Sequence, residues 1–158
     1  MTKGYVRPAR WEDVPILAAD LRSADIAEVR AVSGLGPADA IAVGVRAGES
    51  YVACLPDTTP AFIFGIIPII PKELGAVWAV ATNRFKEVQP QFLRESRAAT
   101  AALCKPYRLT FNYTDARNGV HHRWIKWCGF TFIKRHEEYG VEKRPFLEFV
   151  RITEDHNV

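Results

Sequence analysis

The sequence predicts one α+β domain, with a mixed, largely antiparallel sheet flanked by helices. Three observations lead there. Hydrophobic spacing switches along the chain in the order β, α, α, α, β, β, β, α, β, α, β, β, so strands and helices partly segregate instead of strictly alternating. The chain has 158 residues, 48% of them hydrophobic, and a chain near 150 residues buries about 68–70% of its unfolded surface in one core. No internal repeat and no Gly-, Ser- or Pro-rich linker divides it.

Each element has its own signal. Tyr5-Val6-Arg7 is a short strand that Pro8 ends. From Trp11 to Arg22, apolar residues at 11, 14, 17, 18 and 21 keep helical spacing, with Pro15 early, where a missing N–H costs least. Asp25 and Glu28 read as a capping pair opening a second helix that Gly34 closes. Gly36-Pro37 opens a third, Ala38 to Ala47. Ser50 to Leu55, Ala61 to Ile67 and Ala76 to Ala81 are β-rich runs with short connections, hence an antiparallel meander; Pro68 to Pro71 ends the second run. The longest helix spans Val88 to Lys105, and Pro106 stops it. Arg108 to Tyr113 alternates as a strand. In the helix Asn118 to Cys128, Val120, Trp124, Trp127 and Cys128 form the expected buried face, and Gly129 is its stop. Thr131 to Arg135 and Phe146 to Ile152 are the closing strands. Gly140, flanked by Glu137, Glu138, Glu142, Lys143 and Arg144, reads as a solvated hairpin tip.

Composition excludes several classes. The apolar fraction excludes disorder, and ten Gly with ten Pro and no period exclude a collagen-like chain. A net charge of +3 is too small and too dispersed for a phosphate-tracking surface, so no specific nucleic-acid binding is expected. The densest basic cluster, His121, His122, Arg123 and Lys126, is short and reads as a solvated helix face. Cys54, Cys104 and Cys128 are widely spaced, which fits core packing in a reducing compartment better than disulfides. The N-terminus lacks an apolar signal core, and the run Ala61 to Ile70 is too short to span a bilayer.

The element order, with Asn118 opening a helix that ends in Gly129-Phe130, resembles the Gcn5-related N-acetyltransferase fold. So does the opening Val6-Arg7-Pro8-Ala9-Arg10-Trp11-Glu12-Asp13. The resemblance implies such a domain over residues 1–152, followed by a polar, frayed tail, 153–158. It also implies a Gly-containing loop for the pyrophosphate of acetyl-CoA between the meander and the long helix. Here that stretch, Thr82 to Pro90, has no glycine. Where many members carry a Tyr that protonates the departing thiolate, this chain has Ile125, which has no proton to give. The expectation is a fold that has lost acetyl-CoA catalysis and holds no cofactor. The alternative is an N-acetyltransferase that uses acetyl-CoA on a host or phage substrate. Asn118 and His121 are then the catalytic candidates, and Arg84 and Lys86 the anion-binding ones.

A further resemblance rests on Asn118, His121, Arg123, Lys126, Gly129, Phe132 and the run Glu137-Glu138-Tyr139. These residues are similar to the small internal virion protein family of T7-like bacteriophages. That resemblance implies a structural or accessory virion protein, inside the head or near the portal–tail junction, made in the host cytoplasm. Its partners would be other virion proteins (portal, tail or internal head proteins), with the protein itself in a homo-oligomeric ring. The surface it implies comprises His122, Arg123, Lys126, Glu137, Glu138 and Tyr139.

Other chemistry is weakly signalled. Adjacent His121 and His122 cannot share one helix face as metal ligands, and His136-Glu137-Glu138 satisfies no ligand spacing, so no metal site is expected. His121 is a general base if it lines the cleft beside Arg108 to Tyr113; otherwise it makes a structural hydrogen bond to Asn118 or a strand carbonyl. Cys128 and Trp124 share the apolar stripe, and Ser96 lacks the strand–turn–helix context of a nucleophile.

Overall fold

The computed structural model describes residues 3–154. The chain begins with β1 (Tyr5–Pro8) and three helices, α1 (Asp13–Ala19), α2 (Ser23–Ser33) and α3 (Pro37–Ala47). The meander follows as β2 (Glu49–Cys54), β3 (Pro60–Ile70) and β4 (Leu74–Ala81). A 3-10 helix, Asn83–Glu87, then leads into α4 (Gln89–Cys104). β5 (Leu109–Asp115), α5 (Gly119–Trp127) and the hairpin β6 (Thr131–Tyr139) to β7 (Arg144–Ile152) complete the fold. The seven strands form one sheet in the order β1-β2-β3-β4-β5-β7-β6. Every neighbouring pair is antiparallel except β4 with β5. This is the α+β architecture and the antiparallel meander that the hydrophobic spacing predicts.

Strand alternation divides the core between the two faces of the sheet. Val52, Ile63 and Val80 point to α1 and α3, where they meet Val14, Leu17 and Ile41. Their neighbours Ala53, Phe62 and Ala81 point the other way, to Phe92 of α4. A third cluster, Cys104, Ile125, Cys128, Phe130 and Phe149, fastens α4 and α5 over β7. The three cysteines are buried and free, as their spacing suggested.

The feature that positions a site is the one parallel pair. β4 and β5 pair only over Leu74–Ala76 and Leu109–Phe111. Beyond that, β4 stays with β3 as far as Ala81, and β5 stays with β7 as far as Asp115. The two strands therefore diverge, and the sheet carries a V-shaped gap that is open at their C-terminal ends.

Several local expectations are corrected. Pro68 lies inside β3 and does not end it. β2 stops opposite Ile66, so Pro68 has only β4 beside it, and its missing N–H breaks no ladder. The buried face of α5 is rotated: Ile125 is 2% exposed, whereas Val120 is 51% and Trp127 47% exposed. α5 sits beside the gap instead of over a closed sheet, so one flank of it faces a cavity. β6 continues through His136-Glu137-Glu138-Tyr139, longer than its apolar run. The tip after it is not free. Val141 and Glu142 donate their N–H groups to Val32 and Ala31 at the end of α2, both at 3.2 Å. Gly140 has φ +75°, and a Cβ there would stand 2.3 Å from the Ala31 carbonyl oxygen. Thr153, placed in the polar tail by the sequence, is buried, and its N–H donates to the Arg108 carbonyl. The rest of that tail from residue 155 onward lies outside the described residues.

Candidate functional site

In a strand, the N–H and C=O of one residue point to the same edge, and successive residues alternate. Thr82, just past β4, donates its N–H to Ala61 of β3. Val77, Ala79 and Ala81 therefore face the gap. Polar side chains satisfy the outer two. The Asn112 amide donates to the Val77 carbonyl, and its oxygen accepts the Tyr113 N–H at 2.8 Å, which wedges the vertex open. Asp25 of α2 accepts the Ala81 N–H at 3.0 Å, and the Ala81 carbonyl accepts the Arg22 N–H at 2.9 Å. On the other arm, Glu28 Oε1 accepts the Asp115 N–H and, at 2.8 Å, the Thr114 hydroxyl. Two carboxylates of one helix thus cap both arms. Ala79 between them turns its N–H and C=O into the gap, away from its neighbour Phe64 on β3 and beyond the reach of the β5 pairing.

The capping-pair reading of Asp25 and Glu28 is overturned. The residue before α2 is Arg22, and no side chain caps that helix. The same spacing of three has another consequence, since it sets both acids on one helix face, and that face turns inward. Glu28 Oε2 lies 3.7 Å from His121 Nδ1, longer than a hydrogen bond. His121 Nδ1 is buried with no hydrogen-bond partner. The His121 ring stacks on Trp124, centroids 5.6 Å apart, and Trp124 Nε1 is likewise buried and unpartnered. Asn118 turns its amide to Asp25 Oδ1 at 3.5 Å and makes no side-chain cap to α5. Arg22 reaches Asp25 at 3.6 Å.

The two acids respond differently. Burial pushes the Glu28 carboxyl up, but His121, the Asp115 N–H and the Thr114 hydroxyl outweigh it and hold the group below the usual carboxylate range. For Asp25, burial wins over the Ala81 N–H and Arg22, and its affinity for a proton is raised. Glu28 is the fixed anion of the site, and Asp25 is the group more easily protonated.

Two cavities meet here. The larger, about 640 Å³, lies between β4, α4 and α5, with Asp25, Lys86, Arg123 and Trp127 among its walls. The smaller, about 300 Å³, extends through the gap from Glu28, Ile41 and Trp78 on the side of α2 and α3 to Ser96 of α4 and Ile125 of α5. Ala79, His121 and Trp124 line both. The gap is thus a passage through the sheet, with His121 in its wall.

The stretch lacking glycine folds into the 3-10 helix. Its backbone is largely turned inward: Asn83 N–H donates to Asp20, Phe85 to Thr82, Val88 to Phe85. Phe85 packs on Phe62 and Phe92, centroids 4.8 and 5.1 Å apart. No backbone nest of the kind that cradles phosphates forms there. Arg84 is held outside by Glu87 at 2.8 Å and Asp57 at 3.1 Å and does not line the cavity. Lys86 does line it, as does Arg123. For acetyl-CoA, which the fold family implies, the fit is therefore uneven. The free backbone of Ala79 suits an amide-bearing arm laid along β4. A diphosphate would meet the side-chain cations Lys86 and Arg123 in place of a backbone cradle. Ile125 says little about an acid, because it packs with Cys104, Cys128 and Phe149 and does not line the larger cavity.

The remaining predicted residues are dispersed. His122 Nε2 bonds the Asp115 carbonyl at 2.8 Å, so it takes the strand carbonyl that the structural reading assigned to His121. Lys126 lies over the Phe132 ring at 5.7 Å. Tyr139 stacks on Tyr113, centroids 4.4 Å apart, and on Phe146. Glu137 pairs with Arg135 and, like Glu138, is exposed. Arg123 is exposed at the cavity rim, on a different part of the surface. His136 bonds Glu148 at 2.9 Å. Among the described residues, no three His, Cys, Asp or Glu side chains are grouped to hold a metal ion. No helix among them is long and apolar enough to cross a membrane.

This geometry defines a class, the Gcn5-related N-acetyltransferase fold. The particular likenesses are to three solved structures. A GCN5-related N-acetyltransferase from Kribbella flavida superposes with TM-score 0.68 at 16% identity, covering 94% of this chain and 97% of that one. Spermidine N-acetyltransferase from Vibrio cholerae, in complex with CoA and spermine, gives 0.67 at 11% identity, with 97% of each chain covered. AAC(6')-Ib in complex with ribostamycin and coenzyme A gives 0.68 at 12%, covering 98% and 97%. No family model matches the chain, and no curated protein matches it in sequence.

Proposed function

We propose that the protein is an N-acetyltransferase that carries an acetyl group from acetyl-CoA to a primary amine held in the V-shaped gap. The observation behind this reading is the Glu28–His121 pair, facing across 3.7 Å at the point where the two cavities meet. An ammonium group donates to Glu28 Oε2, the carboxylate oxygen not already engaged by β5. His121, whose Nδ1 is turned to Glu28, takes a proton from it and frees the nitrogen lone pair. Bound acetyl-CoA would supply the activated acyl carbon: as the N–C bond forms the C–S bond breaks, and CoA leaves as a thiolate that is protonated from solvent, to which His121 returns its proton. Ala79 offers N–H and C=O to its amides, and Lys86 and Arg123 offer charge to its phosphates. Calorimetry with acetyl-CoA tests the reading. Binding is expected, with acetylation of an amine that falls about 10²-fold in His121→Ala. No heat at millimolar ligand bounds binding at weaker than about −4 kcal/mol and ends the proposal.

The closed 3-10 segment favours a second reading. Here the protein is a bacteriophage virion component, internal or near the portal–tail junction, whose acetyltransferase-like fold has lost catalysis. Its support is the resemblance read from the sequence between Asn118 and Tyr139. Exposed Arg123, Lys126, Glu137 and Glu138 are the charges it would present to other virion proteins. Mass spectrometry of purified, nuclease-treated particles decides; absence from the particle rejects this reading.

A further inference from the structure

The smaller cavity extends the acceptor side of the gap away from the transfer point. On the side of α2 and α3 it reaches Glu28 and is walled by Val29, Ile41 and Trp78; through the gap it continues to Phe64 and α4. Val43, 54% exposed, marks its mouth. Glu28 is the only carboxylate among its described lining residues. Trp78 lines the cavity with its ring, while its Nε1 is buried against Gly65. The indole is seated by two glycines. A Cβ on Gly44 would stand 2.3 Å from the Trp78 ring, and one on Gly65 2.9 Å from Nε1.

One carboxylate in the lining of an otherwise largely apolar cavity describes a complementary molecule. We infer that the acceptor is a small monoamine with an apolar, ring-sized body. Its ammonium group lies at Glu28, and its body packs on Ile41 and Trp78. A polycation confined to this cavity is disfavoured, because it would press its further charges against apolar walls with no second carboxylate in the lining to pair them. This identity of the acceptor rests on the proposed transferase reading, but the cavity can be tested without the acetyl donor.

The probes are tyramine and spermine, titrated into the full chain and followed by calorimetry and intrinsic tryptophan fluorescence. Tyramine is expected to bind one to one, at least about tenfold tighter than spermine. Glu28→Gln is expected to weaken tyramine about tenfold or more, as for loss of a charged hydrogen bond. Should Glu28→Gln fail to fold, Val43→Lys at the exposed mouth sets a like charge in the amine's path and should also weaken tyramine. Tighter binding of spermine, no saturable tyramine binding, or tyramine affinity unchanged in these variants overturns the inference. Acetyl transfer to spermine but not to tyramine would keep the transferase reading and overturn this one. Tyramine binding without acetyl-CoA binding would do the reverse.

Discussion

Asp13 is one residue whose position makes its chemistry plain. It is 3% exposed at the start of α1 and accepts two hydrogen bonds from the Arg7 guanidinium, at 2.7 and 2.8 Å, and one from the Arg10 N–H. Burial pushes its carboxyl up, but Arg7 and Arg10 together outweigh burial, and the folded pKa is depressed. A depressed carboxylate contributes stability above its unfolded pKa, near 4, and that contribution is lost as pH falls through the folded value. Asp13→Asn should therefore cost about 3 kcal/mol at pH 7, because Arg7 is left unpaired beside it. Urea denaturation should show the gap between variant and parent narrowing steadily below pH 4. Side chains around the cavity separate just as clearly. Lys86→Ala should weaken acetyl-CoA, whereas Arg84→Ala should leave it unchanged within about twofold, since Arg84 is committed to Glu87 and Asp57. Calorimetry on the two variants checks this.

At the scale of elements, α2 matters most, since it carries both carboxylates of the gap. Its far end is gripped by the hairpin tip through Ala31 and Val32. Gly140→Ala puts a Cβ against a backbone carbonyl at positive φ. A loss of about 1–3 kcal/mol is expected, read by thermal unfolding. Because the displaced element is α2, amine affinity should fall in the same variant at temperatures where it remains folded. The elements themselves were mostly legible: the meander, the long α4 and the glycine stop of α2 follow from spacing and end signals. What was not legible was how helices rotate about their axes. Val120 and Trp127 look like core on α5 because they fall on one stripe with Trp124, yet that stripe borders a cavity. Asp25 and Glu28 look like a cap because capping and inward-facing pairs share one spacing.

At the scale of the whole molecule, the sheet consists of two antiparallel halves joined by three residue pairs at Leu74–Ala76. A ligand in the gap touches both halves, so it should stabilise the assembly as a unit. At a hundredfold excess over Kd, acetyl-CoA should add about 2.7 kcal/mol. A thermal midpoint that does not move would count against ligand binding in the gap. The stretch between β4 and α4 is the counterweight. It lacks glycine, and in the structure it turns its amides inward, so the missing cradle was readable directly from the sequence.

The sequence by itself determined the fold class, the order of elements, the buried cysteines and the absence of a glycine loop. Those properties depend on local spacing and on residue type, which act over a few positions. Only the tertiary structure decided where β4 and β5 part. It alone brings Glu28 of one half to His121 of the other, and it alone turns Trp78 into the wall of a cavity. Those relations depend on contacts between segments some 90 residues apart, and no local pattern in a single chain encodes them.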